Sequence, residues 1–183
     1  MTGIVVPVFG ISGVGKTTLC RNFVARNPAY MHLQASELLR ELKGVDPESL
    51  RQSSPSEIET NQKSLAFALQ KKIENDKICR ILLDAHSLID NGSTLVPISP
   101  DIIASFRPKS LIVIEEDPQL IYERRLRDQR ARPIRSISEL HQQQAASTSQ
   151  ALLYSHALNL PIFILRSASL DDFAKALREA SKF

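Results

Sequence analysis

Gly3-Ile4-Val5-Val6-Pro7-Val8-Phe9, running into Gly10-Ile11-Ser12-Gly13-Val14-Gly15-Lys16-Thr17, is the stretch on which the fold turns. Its first half is a continuous apolar run, the pattern of a parallel strand covered on both sheet faces. Its second half fits G-x-x-x-x-G-K-[ST] and opens an amphipathic helix over about Lys16 to Arg26. In that pattern, backbone N–H groups freed by glycine's dihedral tolerance point at phosphate oxygens, and the helix N-terminus adds partial positive charge. Lys16 is then expected to reach the β and γ phosphates of ATP, with Thr17 offering a hydroxyl to Mg²⁺. Gly10, Ile11, Ser12, Gly13, Val14, Gly15, Lys16, Thr17 and Thr18 form the expected ATP-binding set. Pro7 cannot donate to a sheet ladder, so a local distortion is expected beside it.

Outward from this stretch the chain alternates strands and helices. Further strands are expected at Tyr30 to Gln34, Cys79 to Asp84, Ser110 to Ile114 and Pro161 to Leu165. Helices are expected after Ser36, which can cap one carrying Leu38, Leu39 and Leu42, then at about Pro55 to Asn75, Pro118 to Gln129, Ser138 to Ala157 and Leu170 to Ser181. This alternation predicts an α/β protein with a doubly wound parallel sheet. The proline-rich stretch Asn91 to Pro108 is expected to be a long structureless loop.

The 183 residues fit one domain, and 43% apolar content is enough for a core. A net charge of +3 is too small to suggest a nucleic-acid-coating protein. Cys20 and Cys79 each sit in apolar surroundings rather than in a C-x-x-C pair, which marks them as reduced core residues. Met1 leads straight towards a strand with no charged leader or long apolar run, so a soluble cytoplasmic protein with no membrane partner is expected. No N-K-x-D tetrapeptide occurs, which argues against a GTPase.

Asp84 ends a strand, where open α/β sheets place ligand-facing residues, and is the candidate to hold Mg²⁺ through water. His86 stands two residues on. Arg124, Arg125, Arg127, Arg130, Arg132 and Arg135 form a dense cluster in which Arg124 and Arg127, three apart, share a helix face. Such guanidinium groups suit a phosphoryl transition state, and Lys16, Arg124, Arg127, Arg130 and Arg132 are the catalytic candidates. A solvated helix face and a nucleic-acid patch are the alternatives for the cluster. For a second substrate, Arg40, Arg51, Gln62 and His86 are the candidate acceptor-binding residues.

Taken together, Gly10 to Thr17, Ser36-Glu37-Leu38-Leu39-Arg40, Leu83-Asp84-Ala85-His86, the Asn91 to Pro100 loop and Glu116-Asp117-Pro118 leading into Arg124-x-x-Arg127-Asp128-x-Arg130-x-Arg132 resemble the archaeal-type adenylate kinases. The resemblance spans most of the chain, although only the phosphate loop is individually specific. It implies a P-loop kinase fold with a five-stranded parallel sheet over residues 1–183, an acceptor-binding helical region at about 35–75 and a short lid at about 128–136. It further implies the reaction ATP + AMP ⇌ 2 ADP with Mg²⁺, with Arg40 and Arg51 on the AMP phosphate and Arg124, Arg127, Arg130 and Arg132 in the lid. Family members are often trimeric, so it also allows a homo-oligomer. Three departures stand out: Asp90 occupies a position where a basic residue is expected, Glu37 one where aspartate is common, and the lid segment is shorter between Asp128 and Arg130.

An AMP phosphate is already anionic near neutral pH, with a second pKa of about 6, so this chemistry needs no general base. A kinase for a hydroxyl acceptor would need one, and Glu37 or Asp84 could serve. The third reading is an ATP-dependent switch or assembly factor whose arginine cluster contacts a macromolecular partner.

Overall fold

The computed structural model describes residues 4–44, 49–50, 52–76, 80–128 and 133–180. In chain order these form β1 (Ile4–Phe9), α1 (Lys16–Arg26), β2 (Met31–Gln34), α2 (Ala35–Lys43), α3 (Pro55–Asp76), β3 (Arg80–Asp84), β4 (Leu88–Asp90), β5 (Leu95–Pro97), α4 (Pro100–Ser105), β6 (Leu111–Glu115), α5 (Pro118–Arg127), α6 (Ile137–Leu158), β7 (Ile162–Arg166) and α7 (Leu170–Ala180). The main sheet has five strands in the order β2-β3-β1-β6-β7, all parallel, as the alternation of strands and helices anticipates.

Successive strand residues point to opposite faces, and the core divides accordingly. Val5, Phe9, Ile81, Leu83, Leu111 and Val113 pack with α3, α4 and the later part of α6 on one face. Val6, Val8, Leu82, Ile112 and Ile114 pack with Cys20 and Phe23 of α1, Ile121 of α5 and Phe173 of α7 on the other. Because both faces are covered, the strands read as unbroken apolar runs. Their carboxyl ends carry polar residues, Gln34, Asp84 and Glu115 among them, on the edge where such sheets bind ligands.

The distortion expected at Pro7 falls on one side only. Towards β3 the register runs unbroken from Ile4↔Arg80 to Val8↔Asp84, including Pro7↔Leu83. Towards β6 it slips by one residue between the isolated pair Val5↔Pro108 and the resumed ladder at Val8↔Ile112. The missing N–H of Pro7 lies within this gap.

Two sequence expectations are corrected. Ser36 does not cap α2, because the helix begins one residue earlier, at Ala35, directly from the end of β2. Residues 91–108 are not structureless: β4 and β5 pair as an antiparallel hairpin around an Asn91 turn, and α4 follows with Ser99 as its cap and Pro100 in its first turn. The hairpin is fastened to α6, where the Tyr154 hydroxyl donates to the carbonyls of Ile98 and Ser87 and the hydroxyls of Ser87 and Ser147 meet. Among the described residues, no helix is long and apolar enough to cross a membrane.

Candidate active site

The phosphate loop leaves β1 and enters α1 as the sequence implies. Gly10 has φ 144°, and a Cβ there would lie 2.6 Å from the Ile114 carbonyl oxygen, so only glycine lets the loop pass this close to β6. Gly15 caps α1 in a left-handed conformation without a side-chain hydrogen bond to the first turn. The leading N–H groups of the helix therefore have no side-chain cap competing with an anion.

Lys16 is 5% exposed, and its ammonium donates to the carbonyls of Gly10 (2.8 Å) and Ile11 (3.2 Å), 3.8 Å from Asp84 Oδ1. Thr17 Oγ1 donates to Asp84 Oδ2 at 2.5 Å. His32 Nε2, buried and without a hydrogen-bond partner, lies 3.7 Å from the same oxygen. Burial alone would raise the Asp84 pKa, but the Lys16 charge, His32, the Thr17 hydroxyl and His86 outweigh it and hold the carboxyl well below the usual range. Asp84 is thus an anion at neutral pH. His86 Nδ1 lies 2.9 Å from the Gly10 carbonyl, which can only accept, so this nitrogen carries the proton. The Cys20 thiol, beneath the loop, is pushed far up by burial and is inert.

The arginine cluster divides. Arg124 donates to the Val14 carbonyl (3.1 Å) and to Glu116 Oε2 (2.9 Å), and Arg125 donates to the Ser12 carbonyl (2.9 Å). Both grip the phosphate loop. Arg127 does not: it is 81% exposed and pairs with Glu123 at 3.9 Å. The expectation that Arg124 and Arg127 share the working face is corrected by Ile121, whose fully buried side chain sets the inward direction. Positions three, four and seven beyond it are Arg124, Arg125 and Asp128, leaving Arg127 outside that stripe. Arg130 and Arg132, with the rest of the 129–132 segment of the expected lid at 128–136, lie outside the described residues, as do Arg51 and Cys79.

Two cavities meet at this loop. One, of about 270 Å³, is lined by the loop from Ser12 to Thr18 with Asp84, Arg124 and Asp128. The other, of about 210 Å³, lies between α2, α3, the β4–β5 hairpin and α6, and shares Ser12, Ala35, Ser36 and His86 with the first. Gln62 and His86 line it as expected. Arg40 does not; it is exposed and lines neither cavity, because α2 turns Leu38 and Leu39 inward and the next position falls on its outer face. The structure adds Asn61, Arg125 and Gln143 to this wall. Asn61 and Gln143 had a signal in the sequence, since each interrupts the buried helical stripe it stands on: Ile58, Leu65 and Leu69 in α3, and Leu140, Ala151 and Tyr154 in α6.

Residues 9–141 match the profile of the AAA domain family. An adenylate kinase of Pyrococcus abyssi is 30% identical over 183 residues, covering 96% of this chain and 92% of its own. The chain belongs to the archaeal adenylate kinase family. An adenylate kinase of Pyrococcus horikoshii is 29% identical over 187 residues, covering 97% of this chain and 93% of its own. More distant solved structures share the fold of this chain. A sugar kinase from Janibacter superposes with a TM-score of 0.59 at 14% identity, covering 99% of this chain and 95% of its own. Shikimate kinase from Bacteroides thetaiotaomicron gives 0.56 at 13%, covering 98% and 99%.

Proposed function

We propose that this chain is a nucleoside monophosphate kinase acting in the cytoplasm, with ATP as donor, AMP as acceptor and Mg²⁺ as cofactor. The observation that carries this reading is the junction of two cavities at Ser12 and His86, which gives a loop-bound phosphoryl group and a second substrate a common wall. The names of the relatives favour AMP as that second substrate.

On this reading the phosphate loop amides and Lys16 hold the β and γ phosphates, and Lys16 exchanges its carbonyl partners for phosphate oxygens. Arg124, braced by Glu116, sits beside the loop where charge develops during transfer. Thr17 Oγ1 and ionised Asp84, 2.5 Å apart, are hard oxygen donors that suit Mg²⁺. When bound, Mg²⁺ would neutralise charge on the transferring phosphoryl group. His86 steadies the Gly10 carbonyl at the junction. An acceptor phosphate arrives as an anion, so the residues need to position and neutralise it rather than remove a proton. Of the two candidate bases for a hydroxyl acceptor, Glu37 is exposed on α2 and lines neither cavity, whereas Asp84 lines the loop cavity, so that alternative would fall to Asp84 alone.

The test is ADP formation from ATP and AMP by the wild type and by Lys16→Ala, with folding checked by thermal melting. Turnover should vanish in the folded variant. Near-normal activity there would sink the proposal.

A further inference from the structure

Asn61 of α3 and Gln143 of α6 are both more than nine-tenths buried, at 6% and 7% exposure. Both line the second cavity. An amide offers a donor at one end and an acceptor at the other, and the charged neighbours here decide which end faces the cavity. The Lys43 ammonium, donor only, bonds Asn61 Oδ1. Asn61 Nδ2 is therefore turned away from Lys43. Asp90, which can only accept when ionised, accepts a hydrogen bond from Gln143 Nε2 at 3.0 Å. Asp90 is kept an anion against its burial by Arg135, whose guanidinium bonds both carboxylate oxygens at 2.9 and 3.2 Å, and by the Gly92 N–H. Gln143 Oε1 is therefore turned away from Asp90. Neither Asn61 Nδ2 nor Gln143 Oε1 bonds another described residue, and neither is among the buried atoms lacking a partner, His32 Nε2 and Ser110 Oγ. Each atom therefore keeps some exposure on a residue that lines the cavity.

We propose that Asn61 and Gln143 read the base of the acceptor, Asn61 Nδ2 as donor and Gln143 Oε1 as acceptor, with Lys43 and Asp90 locking this polarity. The inference rests on the nucleotide-acceptor reading above and explains the acidic residue at position 90. A 6-aminopurine edge presents a ring-nitrogen acceptor beside an amino donor. A 6-oxopurine edge presents the reverse, and a buried mismatch leaves two polar pairs unsatisfied. Since the phosphate end of the acceptor must point to the loop, the base cannot turn over to restore the match. Lys43 is exposed and does not line the cavity, so it acts as a positioning residue.

The experiment compares AMP with IMP as acceptor in the wild type, Asn61→Asp, Lys43→Met and Lys43→Arg, recording kcat and KM separately. Melting curves and binding of a fluorescent ATP analogue serve as controls. The wild type should prefer AMP by at least about tenfold, a discrimination that a site built to hydrogen-bond its substrate reaches easily. Asn61→Asp should raise the KM for AMP by about tenfold, leave kcat and ATP binding little changed, and move the preference towards IMP. Lys43→Met should narrow the preference by freeing the amide to rotate, and Lys43→Arg should restore it. If Asn61→Asp fails to fold, the Lys43 pair decides. A wild type that uses AMP while the AMP-to-IMP ratio is unmoved in the folded variants overturns this inference alone. A wild type that uses no nucleotide acceptor overturns the function above with it.

Discussion

Asp84→Asn separates the structural from the chemical duty of the carboxylate. Asp84 lies 3.8 Å from the Lys16 ammonium, an attraction of about 4 kcal/mol at an effective dielectric near 20. Against this stands the desolvation of a buried carboxylate, several kcal/mol in its own right, which the amide avoids. The Thr17 hydrogen bond survives, because the amide oxygen still accepts it. The attractions outweigh the desolvation, since the carboxyl is held well below its usual range, so the amide should cost about 2 to 4 kcal/mol at neutral pH, a fall in Tm of about 4 to 16 °C for a domain of this size. The variant should still fold, and its activity should fall further than that loss of stability explains. Loss of the anion beside Thr17 should lower kcat by at least about a hundredfold, the scale seen when one preorganised electrostatic group is removed. Melting curves at pH 7 and initial rates across a Mg²⁺ titration check both halves. A variant that retains kcat within about tenfold of wild type at saturating Mg²⁺ would refute the reasoning.

The same residue carries a pH signature. Its folded pKa is depressed, so its stabilisation is present above the unfolded value of about 3.9 and is lost as pH falls below it. Denaturant melts from about pH 5 to 2.5 should show the wild type losing more stability than Asp84→Asn, whereas parallel curves would contradict the assignment. Arg124→Ala should cut kcat by about tenfold or more while Arg127→Ala stays within about twofold, because the first bonds the phosphate loop and the second only an exposed glutamate. Steady-state kinetics of the pair, with equal losses as the contrary result, decide it. Gly10→Ala forces a Cβ to 2.6 Å from the Ile114 carbonyl oxygen at φ 144° and should destabilise the fold by about 2 to 3 kcal/mol while abolishing ATP binding. Thermal melting and nucleotide titration measure both, and unchanged binding would count against the described loop path.

The parts legible in the sequence are those fixed by local chemistry. The apolar run into Gly10 to Thr17, the strand ending at Asp84 and the later alternation determine which strands are parallel and where the phosphate loop sits, because periodicity and glycine placement act within a few residues. Spacing inside the arginine cluster misleads, since the inward direction of α5 is set by Ile121 rather than by any arginine. The β4–β5 hairpin was hidden because short strands flanked by proline and serine resemble a loop until Tyr154, Ser147 and Gln150 of α6 satisfy their carbonyls and hydroxyls. The cavity amides lie further from view. Asn61 and Gln143 mark themselves only as polar interruptions of apolar stripes, and their orientation depends on Lys43 and Asp90, which no sequence period relates to them. Asp90 reads as an anomaly in the sequence and becomes intelligible only beside Arg135.

The most direct test of the account is ADP release from ATP and Mg²⁺ across a panel of acceptors: AMP, other nucleoside monophosphates, nucleosides, sugars and shikimate. The account expects turnover that depends on AMP and follows its concentration to saturation. Turnover with a hydroxyl acceptor in place of any nucleotide, or slow ATP hydrolysis indifferent to every acceptor, would contradict it.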